Sequence, residues 1–230
     1  MTKRRCAHLT FALVAAFLAT TLVAASGCAG ALMMPFYLIH GTEQPPVFKD
    51  EVKAIPKGSR LVVICRSNLN LFGTSNPNGD ISRAVTFCVS KNIKNKNKKK
   101  LEWIPIDEVD EKFEEEEFNK LSFEKMGAAL NADYVIGIEL DSFEIHHSTQ
   151  FYQGNAKVLV RLVDVNNHET ICRQSMPNYV YPPTPVPVSD LEETEFQNRF
   201  VVNLAKNIST LFCPYDPHDN YAVDSDFPGR

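Results

Sequence analysis

Histidine and carboxylate side chains that could share a metal ion gather in two places. His146-His147 and His168 flank a stretch of strand-forming sequence, and Asp216, His218 and Asp219 lie close together near the carboxyl end. Imidazole nitrogens and carboxylate oxygens suit Zn²⁺ or Mn²⁺, and the tail spacing could bring two or three ligands to one ion. The same tail is rich in Pro, Asp and Asn, which form turns capped by their own side chains, so turn chemistry is the default there and no cofactor is assigned. A second polar group, Arg66, Ser67 and Asn68, follows a short apolar run and opens a loop that extends to Asp80. Open α/β sheets bind ligands at the carboxyl ends of their parallel strands, which makes these three residues a candidate ligand loop by position. The chain has no G-x-S-x-G, G-x-x-x-x-G-K-[ST], H-E-x-x-H or G-x-G-x-x-G. The expectation is therefore a protein that is not an enzyme.

Cysteine chemistry starts at the leader. Lys3-Arg4-Arg5 precedes an apolar stretch over residues 9–25 and then small residues, the charged, apolar and cleavage-region order of a secretory signal. That run ends in Ala25-Ser26-Gly27-Cys28, which resembles a bacterial lipobox. In such a motif cleavage occurs before a cysteine whose thiol already carries a diacylglycerol, so Cys28 is the expected lipidation site. Ala29 rather than Asp follows it, which points to outer-membrane sorting. Ordinary cleavage near Ala25 and an uncleaved anchor are the alternatives; Pro35 and the break at Ser26-Gly27 weigh against one continuous membrane helix. With Cys6 in the leader and Cys28 lipidated, Cys65, Cys88, Cys172 and Cys213 remain. Three disulfide pairings are open to them, and buried free thiols are the other reading.

Removing the leader also changes the charge. The 24 basic residues less Lys3, Arg4 and Arg5 stand against 28 acidic ones, a net of −7, so no general attraction for a nucleic-acid backbone is expected. A lysine-rich run over residues 94–100 is followed by acidic pairs from Asp107 to Glu117, and these blocks read as solvated loop and helix-end faces.

The elements that position these groups follow from periodicity. Residues 28–58, with Pro45-Pro46 and Pro56-Lys57-Gly58, read as the lipidated cysteine and a tether after a signal peptide over 1–27. Residues 61–65 form a continuous apolar run suited to a strand covered on both faces. Apolar residues from Ile81 to Ile93 recur at helical spacing. A strand over 102–106, a helix capped by Ser122 and a half-buried strand over 134–145 come next. Strands over 156–165 and 169–176, joined through Asn166-Asn167, complete a meander. Phe196, Phe200, Leu204, Ile208 and Phe212 mark a long amphipathic helix. The expected fold is a single α/β domain over 59–214 of order β-α-β-α-β-β-β-α, a mixed sheet with packed helices, followed by an irregular tail over 215–230. Between the last strand and that helix, Pro177, Pro182, Pro183, Pro185 and Pro187 predict an extended crossing loop. Within it Tyr179, Tyr181, Pro182 and Pro183 are a candidate docking strip for a partner.

The segment Met126-Gly127-Ala128-Ala129-Leu130-Asn131-Ala132-Asp133-Tyr134-Val135-Ile136 resembles the helix-to-strand junction of envelope proteins related to CsgG, the LpoB activators and the amino-terminal domain of TolB. The exported part as a whole is similar to lipoproteins of planctomycete-type bacteria, on Gly27-Cys28-Ala29-Gly30, Tyr37-Leu38-Ile39-His40-Gly41-Thr42, Tyr152-Gln153-Gly154, Tyr179-Val180-Tyr181-Pro182-Pro183 and Tyr215-Asp216-Pro217-His218-Asp219. That resemblance implies an envelope lipoprotein facing the periplasm, held in the membrane through Cys28, with another envelope protein as partner. The chain has no spare hairpins of alternating polarity, so a CsgG-type pore is not expected. A metal- or small-ligand-binding protein and a homo-oligomeric secretion component are the alternative functions.

Overall fold

Leu61 to Cys65 supply five consecutive apolar side chains, which a strand can bury only if both of its faces are covered. The computed structural model, which describes residues 43–67, 77–93 and 100–217, places them in strand β1 (Arg60–Ser67), where all five are buried. β1 lies parallel to a two-residue strand β2 (Glu102–Trp103) on one side and to β3 (Tyr134–Ser148) on the other. β4 (Phe151–Asp164) and β5 (Glu169–Pro187) continue antiparallel, giving one mixed sheet of order β2-β1-β3-β4-β5. The mixed α/β architecture expected above is the one observed.

Helices cover both faces. Alternate residues of β1, Leu61, Val63 and Cys65, share a core with α1 (Lys49–Ala54), α2 (Pro77–Asn92) and α6 (Glu193–Ser209). Val62 and Ile64 point the other way, into a smaller core with Val109 of α3 (Ile106–Phe113), Phe118 of α4 (Glu116–Asn119) and Phe123 and Met126 of α5 (Phe123–Ala129).

Several boundaries differ from the expectation, each for a physical reason. α2 starts at Pro77 because proline is well suited to a first helical position, where its missing N–H is not needed. The expected strand over 102–106 stops at Trp103, and helix α3 begins after Pro105 with Asp107 and Glu108 in its first turn, where carboxylates favour the helix dipole. The largest correction is the proline-rich crossing loop. Residues 177–187 are not a loop; they extend β5, and Tyr179, Tyr181 and Val186 pair with Ala156, Gly154 and Tyr152. β5 is an edge strand, so a proline there can turn its missing donor outward without removing a ladder hydrogen bond, and two irregularities in the register absorb the rest. In the β4–β5 turn the positive φ falls on His168, at 54°, while the Asp164 carboxylate accepts hydrogen bonds from Asn167 N and Nδ2 at 3.0 and 2.9 Å.

Residues 44–58, expected as part of the tether, join the domain. Phe48, Val52 and Ile55 are buried in the main core, and the Phe48 ring meets Phe212 edge-on at 5.3 Å. Gln44 and Tyr215 exchange both backbone hydrogen bonds, and the Tyr215 hydroxyl donates to Gln44 Oε1 at 2.9 Å. The chain thus enters beside the carboxyl end of α6. At the other end of that helix, about 25 Å away by its rise per residue, Phe196 stacks on Tyr152 and Glu193 lies 3.6 Å from His146 Nε2. Beyond the last residue paired with β1, Leu140, the strands β3–β5 continue as a three-stranded arm toward this far pole.

Candidate functional site

Arg66 ends the apolar alternation of β1 on the face that carries Val62 and Ile64, and its register partner on β3 is Glu139. Arg161 of β4 pairs with Gly137, two residues before Glu139, so its side chain lies diagonally beside the same carboxylate. The two guanidiniums grip Glu139 from either side. Arg66 Nη2 donates to Oε1 at 2.6 Å and Arg161 Nη2 to Oε2 at 2.5 Å, while Arg66 Nη1 donates to the carbonyl of Leu121 at 2.9 Å. Phe123 completes the cluster with Arg66 Cζ 4.4 Å above its ring centre, a cation–π contact. Gly137 makes this possible, because a Cβ there would lie 2.7 Å from the Phe123 ring.

The cluster is half-buried, with 25%, 16% and 30% of the Arg66, Glu139 and Arg161 side chains exposed. Its hydrogen-bond inventory is lopsided. Nε of Arg66 and Nε of Arg161 are both buried without an acceptor among the described residues. Glu124, nearby, has its carboxyl held below the usual range chiefly by a hydrogen bond with Ser122, with the positive charges of Arg161 and Arg66 adding to the effect.

Of the predicted loop groups, Arg66 is thus committed to Glu139, Leu121 and Phe123, Ser67 closes β1 opposite Leu140, and Asn68 lies outside the described residues. Sequence reasoning misses Glu139 and Arg161, although charged residues inside otherwise apolar runs, Ile138-Glu139-Leu140 and Val160-Arg161-Leu162, are a readable signal.

The tyrosine-proline strip is divided between inside and outside. The Tyr179 ring lies parallel to Phe200 with centroids 6.1 Å apart, and burial pushes its phenol up. Tyr181 and Pro182 are half-buried, Pro183 is exposed, and Gln153 Nε2 donates to the carbonyls of Pro182 and Pro183 at 3.0 and 3.2 Å. Val180, between the two tyrosines, turns its side chain outward.

Asp216 is half-buried, while His218, Asp219 and Cys28 lie outside the described residues. Among the described residues no three His, Cys, Asp or Glu side chains gather as a metal site would require. His146 and His147 are exposed, and the His146 ring packs at 5.1 Å from that of Tyr152. None of the four remaining cysteines is in a disulfide. Cys65, Cys88 and Cys213 are buried, Cys65 Sγ donates toward Asn78 Oδ1 at 3.7 Å, and Cys213 Sγ donates toward the Val89 carbonyl at 3.8 Å. Burial pushes the Cys65 thiol up and raises those of Cys88 and Cys172 to about 11 and about 12.

No family model matches this chain, and no curated protein matches it. Solved structures with a loose likeness to it include a PelC dodecamer from Paraburkholderia phytofirmans, at 12% identity and a TM-score of 0.39, over 70% of this chain and 92% of that one. Lipoprotein GNA1162 from Neisseria meningitidis is 14% identical with a TM-score of 0.36, over 67% and 99%. The LpoB C-terminal domain from Salmonella enterica is 13% identical with a TM-score of 0.33, over 56% and 90%.

Proposed function

We propose that this chain is a lipoprotein of the bacterial cell envelope, anchored in the outer membrane through Cys28 and facing the periplasm, whose α/β domain is a non-enzymatic accessory or assembly factor for another envelope protein. The observation that carries this reading is the apolar leader ending in Ser26-Gly27-Cys28, joined to a domain that receives the chain at one pole. The stretch from Cys28 to Gln44 can span at most roughly 55 Å when extended. It enters beside the carboxyl end of α6, which leaves the arm and the carboxyl end of β1 at the opposite pole, free to face a partner. Among the described residues no helix is long and apolar enough to cross a membrane, so a lipid on Cys28 would supply the attachment. The outward Val180 and the exposed Pro183 are the parts of the tyrosine-proline strip that a docked protein could reach.

The test is fractionation of cells carrying the wild type or Cys28→Ser, followed by extraction in mild detergent and measurement of native mass and composition. Incorporation of labelled palmitate and membrane retention that disappear in Cys28→Ser, together with a second protein in stoichiometric amount, are expected. Retention unchanged in Cys28→Ser overturns the anchor. A bare monomer overturns the accessory role, and a large homo-oligomer favours a secretion component.

A further inference from the structure

The Arg66–Glu139–Arg161 cluster has an excess of donors. Two guanidiniums share the Glu139 carboxylate, and among the described residues three of the N–H groups they carry have acceptors: two go to Glu139 and one to the Leu121 carbonyl. Both Nε groups are buried and unpartnered among the described residues. Leaving half-buried cationic donors unsatisfied is costly, and elsewhere in the domain the guanidinium of Arg83 is paired with Asp80 and Asp110 at the exposed surface. Glu124 senses both arginines but makes its hydrogen bond with Ser122, so it does not close the account. The position adds weight: the cluster stands at the carboxyl end of β1, the side of an open α/β sheet where ligands bind.

The geometry points to an oxyanion site here, one that takes a single carboxylate or phosphate group at the exposed edges of the Arg66 and Arg161 guanidiniums, beside Glu139. Planar guanidinium forks match both anions bidentately, and the exposed quarter to third of each arginine side chain gives the anion its access. Phe123 and the Leu121 carbonyl hold Arg66 in place, so little side-chain freedom is lost when an anion arrives. This assignment does not depend on the accessory role proposed above.

The full chain, labelled with ¹⁵N-arginine and held in detergent micelles, would be titrated with sodium phosphate, sodium acetate and sodium chloride at constant ionic strength while the arginine Nε–Hε resonances are followed. Saturable shifts of the Arg66 and Arg161 resonances with phosphate or acetate, absent with chloride, are expected. A response to phosphate alone assigns a free phosphate and a response to acetate alone a carboxylate side chain, whereas a response to both assigns the shared oxyanion chemistry. Arg161→Gln should abolish the saturable response of Arg66, and Glu139→Gln should tighten binding about three- to tenfold by removing the competing carboxylate. If Glu139→Gln does not fold, Arg161→Gln alone decides. Equal shifts with chloride, shifts that never saturate, or a response that survives Arg161→Gln would mean an adventitious ion only and would overturn the site.

Discussion

Strands β3, β4 and β5 run through two environments, and the contrast between them explains most of their sequence. In the lower half, where β1 flanks β3 and helices lie on both faces, Val135, Ile136, Gly137 and Ile138 are all buried. In the arm, Phe143 and Ile145 turn toward α6 while Glu144 between them is exposed. One strand therefore reads as a continuous apolar run and then as an alternation, because coverage changes from two faces to one. Each half uses a glycine to let an aromatic ring descend onto the backbone. Gly137 receives Phe123 from the second face, and Gly154 receives Phe200 from the first.

The strongest way to break the arm is Phe200→Ala. That ring packs against Phe143 at 5.0 Å and Tyr179 at 6.1 Å, so its loss should destabilise the chain by about 3–5 kcal/mol and free the arm first, read as faster hydrogen exchange over β5 than over β1. In the lower half, Gly137→Ala drives a methyl into Phe123 and should cost about 2–3 kcal/mol in urea denaturation, with β1 and α5 losing protection instead of the arm. If both variants loosened the same segments, the two halves would be one cooperative unit and the contrast would fail. Glu139→Gln tests the junction: with its partners a quarter to a third exposed, about 1–2 kcal/mol is expected from the lost ion pairs.

A further effect is set by pH. The folded chain holds the thiols of Cys88 and Cys172 protonated to about pH 11 and about pH 12, whereas unfolded thiols ionise near 9.0. Their contribution is therefore present below pH 9 and is lost as pH rises toward those folded values, along with that of Tyr179, whose phenol is shifted in the same direction. Urea midpoints should decline between pH 9 and 11, less steeply in Cys172→Ser. A flat profile would contradict the burial of these groups.

What can be read from the sequence follows the same division. β1, α2 and α6 are legible because their apolar residues keep one period over enough positions to exclude the other. α1 is hidden because only Phe48, Val52 and Ile55 anchor it, too few to reveal a period between prolines. Residues 177–187 mislead because proline normally interrupts pairing, and only the place of β5 at the sheet edge, a tertiary fact, permits it. At the site, Arg66 stands out by its position at the end of β1. Glu139 and Arg161 show only as charges inside apolar runs, and their meeting is not legible, since it depends on a β3–β4 register with three irregularities between the hairpin turn and Leu140 and on how three strands align.

The antiparallel pair formed by Gln44 and Tyr215 also has a mechanical meaning. Any pull applied to the chain upstream of Gln44 loads two backbone hydrogen bonds and one phenol contact before the edge-on Phe48–Phe212 contact, and only after those give way the first strand of the sheet. The joint works as a strain relief, yielding a few residues at a time at the entry point while the sheet and the charged cluster beyond it stay unloaded.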